Sequence, residues 1–164
     1  MRRLTVMVYD YSGIEPQTLA YAEGVVSSVF HLAGIEIEWA EPEIITDSDM
    51  LHVNLLSTDM VGPFSASKET VGFATPGSLA ANAMYDRICV IARGRRLRCG
   101  LLLGYVMAHE LGHLLLPAHS HSETGLMRAS LDVELAADKK LQFTSAQAAL
   151  MLERLTTPPV LSTH

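Results

Sequence analysis

The stretch GYVMAHELGHLLLP, residues 104–117, decides how this chain folds and what it can bind. It belongs to a longer apolar helical pattern over residues 99–116, which the proline at its end stops. His109 and His113 are four residues apart, so their imidazoles lie one turn apart on one helix face and can reach the same metal ion. Glu110 can then touch a water bound to that metal. The sequence therefore predicts a metal-binding helix.

Composition predicts one domain around this helix. Of the 164 residues, 49% are apolar and 18% charged, which is enough to bury a sizeable core. A net charge of −6 argues against nucleic acid as a partner. The chain has no apolar run of about 18 residues and no signal-type segment, so no membrane partner is expected. We expect a secreted protein if a signal was removed and a cytoplasmic one otherwise, with a monomer as the simplest oligomeric state.

Strand and helix patterns alternate along the chain before the metal-binding helix. Apolar and β-branched patterns predict strands at residues 4–9, 35–39, 50–56 and 88–92. Helical patterns cover residues 16–34, 99–116 and 132–141, and a last helix begins at Thr144, with Gln147 completing a capping box. Residues 57–84 are interpreted as a long loop with strand potential at 70–75. This order predicts an α+β fold: a twisted, mostly parallel sheet of four to five strands, a backing helix, the metal-binding helix, and a small C-terminal loop-and-helix subdomain.

The two cysteines carry little information at this stage. They are too few for a disulfide framework or a cysteine-ligated zinc site. Cys89 is interpreted as a small apolar group on the strand at 88–92, and Cys99 as the residue that starts the long helix.

A third metal ligand is expected downstream of the helix, because a catalytic zinc site uses three protein ligands and leaves a fourth position for water. The sequence His119-Ser120-His121, followed by Gly125-Leu126-Met127, resembles the metzincins, zinc endopeptidases with the motif HExxHxxGxxH and a later turn that places a methionine beneath the metal. His119 falls at the third-ligand position of that motif, and Ser120 resembles the serine that follows it in matrixins. The resemblance implies one catalytic domain over residues 1–164, with an upper subdomain (1–116) and a lower subdomain (117–164).

One departure from the motif concerns the residue that turns the chain after the helix. The family's glycine is replaced by Leu116, and Pro117 follows. Leucine is costly in a left-handed conformation, and a residue before proline favours extended geometry. We therefore expect the turn to lie nearer the C-terminus, which favours His121 over His119 as third ligand, although both stay open.

A rival third ligand lies farther along the chain. In gluzincins, the thermolysin-like zinc peptidases, a downstream glutamate on a helix completes the site, often with an aspartate four residues later. Glu134 and Asp138 have that spacing. This alternative leaves the paired histidines and the Gly-Leu-Met sequence without a purpose.

These residues together predict a Zn²⁺-dependent peptidase that hydrolyses peptide bonds in a peptide or protein substrate. Zinc would lower the pKa of its water and polarise the carbonyl, while Glu110 acts as general base. The resemblance implies that the peptide lies along an edge strand, here residues 71–75. It also implies that the segment after Met127 forms one wall of the specificity pocket. Two alternatives stay open: a non-peptide amidase, and a latent or non-catalytic zinc-binding domain in which His119 and His121 both bind the ion.

Overall fold

The computed structural model describes residues 1–41, 50–61, 70–74 and 78–157. The strands in these ranges are β1 (Arg2–Asp10), β2 (Ile35–Trp39), β3 (Leu51–Leu56), β4 (Gly72–Ala74) and β5 (Ala80–Met84). The helices are α1 (Pro16–Leu32), α2 (Thr58–Val61), α3 (Tyr85–Gly94), α4 (Cys99–Leu115), α5 (Val133–Ala137) and α6 (Ser145–Thr156). Within the described ranges, none of these helices combines the length and the apolarity that crossing a membrane requires.

The strands form one five-stranded sheet in the order β2-β1-β3-β5-β4. Neighbouring strands from β2 to β5 pair in parallel, and β4 pairs antiparallel with β5 at the sheet edge. This arrangement confirms the predicted α+β fold with a mostly parallel sheet. The predicted edge strand at 71–75 corresponds to β4, and residue 75 lies outside the described residues.

Helix α4 lies at the centre of the core, where it contacts α1, α3, β4 and β5. Nearly its whole circumference is buried, in keeping with its uniformly apolar sequence. Gly104 permits the close crossing with α1, because a Cβ atom there would lie 2.5 Å from the Cβ of Val25 and 2.7 Å from the carbonyl oxygen of Ala22. The helix that carries the histidine pair is therefore held by packing on several sides.

Helix α3 replaces the strand expected at residues 88–92, and that expectation is wrong. The buried side chains Ile88, Cys89 and Ala92 recur with helical spacing, while Val90 is 65% exposed. The apolar run was continuous, so its period could not be read from the sequence. The strand beside β3 is formed instead by β5.

The expected long loop at residues 57–84 is wrong in part. It contains α2, β4 and β5 within its described portion. β5 has the sequence AANAM, whose alanines have low strand propensity, and it becomes a strand because it pairs with β3 along its whole length. The weak helix expected at 132–141 is shorter, since α5 ends at Ala137 and Lys139 has a left-handed φ of 57°.

Cys89 and Cys99 form a disulfide with their Cα atoms 4.8 Å apart. The bond joins α3 to the first residue of α4 across the short arginine-rich segment of residues 95–98. Placing Cys89 on a strand was wrong, and the pairing was not predicted, because it depends on how α3 and α4 pack.

Candidate metal centre

Three histidines converge on one point in the structure. Ring nitrogens of His109, His113 and His121 all lie within 4.8 Å of one another. The Nε2 atom of His113 is 3.1 Å from Nε2 of His109 and 3.1 Å from Nε2 of His121. Ligands of one tetrahedral zinc ion lie about 3.3 Å apart, given Zn–N bonds of about 2.0–2.1 Å. Two of the three nitrogen pairs are close to this spacing and the third lies within 4.8 Å, so the group could hold a metal ion.

The chain returns to the helix through a turn after its end. Helix α4 ends at Leu115, and Leu116 is extended, with φ −94° and ψ 156°, as expected for a residue before proline. His119 has the left-handed conformation, with φ 60°. This reversal lies three residues beyond Leu116. Both His119 and His121 are exposed, but only His121 lies with the helix histidines in the group that the described residues form.

The two helix histidines, His109 and His113, each have a polar partner at Nδ1, the ring nitrogen that does not converge with the others. His109 donates from Nδ1 to the carbonyl oxygen of Leu126 at 2.8 Å, which leaves its Nε2 lone pair free. The Nδ1 atom of His113 lies 3.2 Å from the hydroxyl of Ser120. Metal-binding histidines usually hold their second ring nitrogen in this way.

Met127 packs against Gly112, in the stretch of α4 that carries the histidine pair. It is fully buried, and a Cβ atom at Gly112 would lie 2.8 Å from its sulfur and 2.8 Å from Cε1 of Phe143. The glycine within the HELGH sequence is therefore needed for the close approach of Met127 and Phe143. Gly125, with φ +79°, turns the chain just before Met127.

Burial favours the neutral forms of the site residues. It lowers the pKa of His113 to about 4, with further lowering by the neighbouring His109 and His121. Burial also lowers the pKa of His109, partly opposed by its bond to Leu126. Neutral imidazole is the form that binds metal, so these two side chains are ready for an ion at neutral pH.

Glu110 lies beside the histidines and is 7% exposed. Burial raises its pKa to about 8, so its carboxyl group is readily protonated near neutral pH before a cation binds. The carboxyl group packs under β4, because a Cβ atom at Gly72 would lie 2.7 Å from its Oε1 and 2.8 Å from its Cγ. A Cβ atom at position 72 would therefore require the Glu110 side chain to shift.

The remaining predicted ligands lie elsewhere. His119 lines the same cleft but is not a member of the histidine group that the described residues form. Glu134 and Asp138 are exposed on and just after α5, and they are not members of it either.

Sequence reasoning missed two supports of the site. Gly72 in β4 was not singled out, because its contact with Glu110 joins positions 38 residues apart and no local pattern marks it. Gln147 was recognised only as part of a helix cap, yet its side chain also reaches the loop that carries His121. No local pattern marks this second contact, because it joins positions 25 and 27 residues apart.

A cleft of about 1500 Å³ opens onto these residues. Its walls include the site residues, strand β4 and the segment that follows Met127, represented by Ala129, Ser130, Leu131 and Val133. The histidines, Glu110 and β4 thus border the same cleft.

Comparison with known proteins finds similarity in structure. Neither a family model nor a curated protein matches the sequence. The crystal structure of archaemetzincin from Methanopyrus kandleri is similar, with a TM-score of 0.62, 14% identity, and coverage of 94% of this chain and 97% of that chain. A zinc-dependent peptidase from Methanocorpusculum labreanum has a TM-score of 0.60 at 13% identity, over 90% of this chain and 99% of the other.

A further solved structure, archaemetzincin from Archaeoglobus fulgidus complexed with malonate, has a TM-score of 0.53 at 12% identity and covers 90% of this chain and 99% of the other. At these identities the similarity shows a common fold. The chain therefore has the fold of these peptidases, which confirms the predicted zinc-peptidase fold.

Proposed function

We propose that this chain is a zinc-dependent peptidase whose metal is held by His109, His113 and His121. The observation that carries this proposal is the convergence of three Nε2 atoms beside a buried glutamate in an open cleft. The names of the structurally similar proteins, archaemetzincins and a zinc-dependent peptidase, support it.

The donor set fits zinc on the chemistry of its atoms. Two of the three nitrogen pairs have separations close to those of tetrahedral coordination, and His109 has its free lone pair on the converging side. Three protein ligands with an open fourth position are typical of catalytic zinc rather than structural zinc. When bound, zinc supplies a water of lowered pKa and polarises the substrate carbonyl.

Glu110 serves as general acid and base in this proposal. Its carboxylate accepts a proton from the attacking water and returns it to the leaving amine. Burial beneath β4 restricts the carboxyl group to one region of the cleft, and a bound cation would lower its raised pKa towards the ionised form that a base requires.

The substrate is a peptide lying along the exposed edge of β4. An edge strand offers unpaired N–H and C=O groups, which bind an extended chain by adding a strand. The residues after Met127 that line the cleft form the opposite wall and the specificity pocket. In this proposal residues 1–164 are one catalytic domain, in which 1–116 supply the edge strand and the helix, and 117–164 supply the third ligand and the wall.

Zinc content and peptide cleavage, measured together, test the proposal. We expect one zinc ion per chain, cleavage of a mixed peptide library, loss of cleavage with a chelator and recovery when zinc is restored. Chelation should also lower the melting temperature, because an ion that binds only the folded state stabilises it. Zinc binding without cleavage of any peptide would favour the non-catalytic zinc-binding domain, and absence of zinc would overturn the site.

Gly72→Ala is expected to lower kcat roughly tenfold to a hundredfold while leaving the zinc content unchanged. The added methyl group would occupy the space of the Glu110 carboxyl group, and a displacement of about 1 Å in a catalytic group has an effect of this size. Steady-state kinetics should show the loss in kcat, whereas disturbed peptide binding would raise KM.

Gly24→Ala is the matched control for this substitution. A Cβ atom at Gly24, in the middle of α1, meets nothing within 4 Å. Alanine there should preserve kcat and raise stability slightly, since it favours helix more than glycine does. Wild-type kcat in Gly72→Ala would contradict the steric placement of Glu110.

A further inference from the structure

Gln147 connects the C-terminal helix to the loop that carries His121. Its side chain is 7% exposed and lies in the first turn of α6. The amide oxygen accepts a hydrogen bond from the backbone N–H of Thr144 at 3.0 Å, as half of a capping box. The amide nitrogen donates to the carbonyl oxygen of Ser120 at 3.4 Å and to the hydroxyl of Ser122 at 3.1 Å. One buried amide therefore links the helix start to the loop.

The two bonded serines flank His121 on either side. Ser120 also places its hydroxyl 3.2 Å from Nδ1 of His113, so its position affects a second histidine of the group. Ser122 donates its backbone N–H to the carbonyl oxygen of Met127 at 2.9 Å, which ties the same loop to a fully buried residue. Fixing the backbone at 120 and 122 leaves residue 121 little freedom.

We propose that Gln147 is a positioning residue for the metal site, and that through it helix α6 sets the affinity of the site for zinc. This inference rests on the proposed function, in which His121 is a zinc ligand. A ligand on a loop that is already ordered loses less conformational entropy when the metal binds. Outer partners that hold a ligand typically change metal affinity by about 10- to 100-fold.

Two substitutions of Gln147 remove its bonds to the loop in different ways. Gln147→Ala removes the whole amide. Gln147→Glu keeps an oxygen that can accept from the N–H of Thr144 but replaces the donor, so an oxygen then faces the carbonyl of Ser120. The second variant keeps the proposal testable if the alanine variant does not fold.

Thr144→Ala is the matched control. It removes the hydroxyl that accepts from the backbone N–H of Gln147 at 3.3 Å and so weakens the same helix start. It leaves the amide nitrogen of Gln147 and its bonds to Ser120 and Ser122 in place. A purely structural role of Gln147 predicts equal effects in the two alanine variants.

The experiment is a zinc titration of the wild type and the three variants against a chelator of known affinity, with urea unfolding of each zinc-free protein. We expect the zinc Kd to rise at least tenfold in both Gln147 variants and to stay within about twofold in Thr144→Ala. Cobalt-loaded protein gives a second readout, because its visible absorption bands depend on ligand number and geometry. These bands should change in the Gln147 variants and not in Thr144→Ala.

Three results would overturn the inference. Unchanged zinc Kd in both Gln147 variants would overturn it while leaving the proposed function intact. Equal rises in Kd in Gln147→Ala and Thr144→Ala, with equal losses of stability, would assign the effect to helix stability alone. A wild type that binds no zinc would overturn the proposed function and this inference with it.

Discussion

Glu110→Gln is expected to lower kcat for peptide hydrolysis by about two orders of magnitude or more, with zinc still bound. Glutamine preserves the shape of the buried side chain but cannot accept a proton, and loss of a general base has an effect of this size. The fold should tolerate the change, because burial already favours the uncharged form of Glu110 and raises its pKa to about 8. The measurement is single-turnover hydrolysis by zinc-loaded protein, with zinc content determined on the same sample.

Glu123→Gln is the control variant. It removes one negative charge from a residue that is close to His121 in the sequence. Glu123 is exposed on the loop between His121 and Met127, so its neutralisation should leave kcat within about twofold of wild type at moderate ionic strength. Full activity in Glu110→Gln would rule out Glu110 as the base. Loss of zinc in that variant would make Glu110 part of the metal-binding set instead.

His121→Ala should raise the zinc Kd by more than a hundredfold, whereas His119→Ala and Glu134→Ala should each leave it within about twofold. Removing a direct ligand costs more than removing an outer partner, for which about 10- to 100-fold is typical. His121 lies in the histidine group, and His119 and Glu134 are exposed and outside it. His113→Ala serves as the positive control, because it removes one of the paired helix histidines.

Each other pattern of zinc affinities has a distinct meaning. A large loss in His119→Ala alone would restore the standard metzincin spacing and show that Leu116 is tolerated at the glycine position. A loss in Glu134→Ala alone would indicate the gluzincin-like site. Comparable losses in His119→Ala and His121→Ala would indicate a closed site with four protein ligands, in which no position is left for water.

Local sequence determined the features that depend on neighbours along the chain. The spacing of His109 and His113 fixes both on one face of α4, whatever the rest of the fold. The capping box of Thr144 and Gln147 marked the start of α6, and it is present in the structure. Pro117 ends α4 and forces the preceding residue into extended geometry.

Sequence patterns predicted the wrong secondary structure in two segments, where packing or pairing with distant parts of the chain determines it. The alanine-rich β5 becomes a strand because β3 offers it a parallel partner, and the continuous apolar run at 88–92 becomes α3 because one of its faces packs on α4. Propensity is weak in both segments, and burial against a neighbour outweighs it.

The sequence by itself determined the helix, the histidine pair, the adjacent glutamate and the kind of metal chemistry they suit, since all of these follow from residue types and spacing within one helical turn. Only the tertiary structure decided which later residues join them. It brings His121 to the pair, packs Gly72 against Glu110, and lets Gln147 reach the loop. These contacts join segments whose relative positions depend on the closure of loops and the packing of the whole core, which no local spacing encodes.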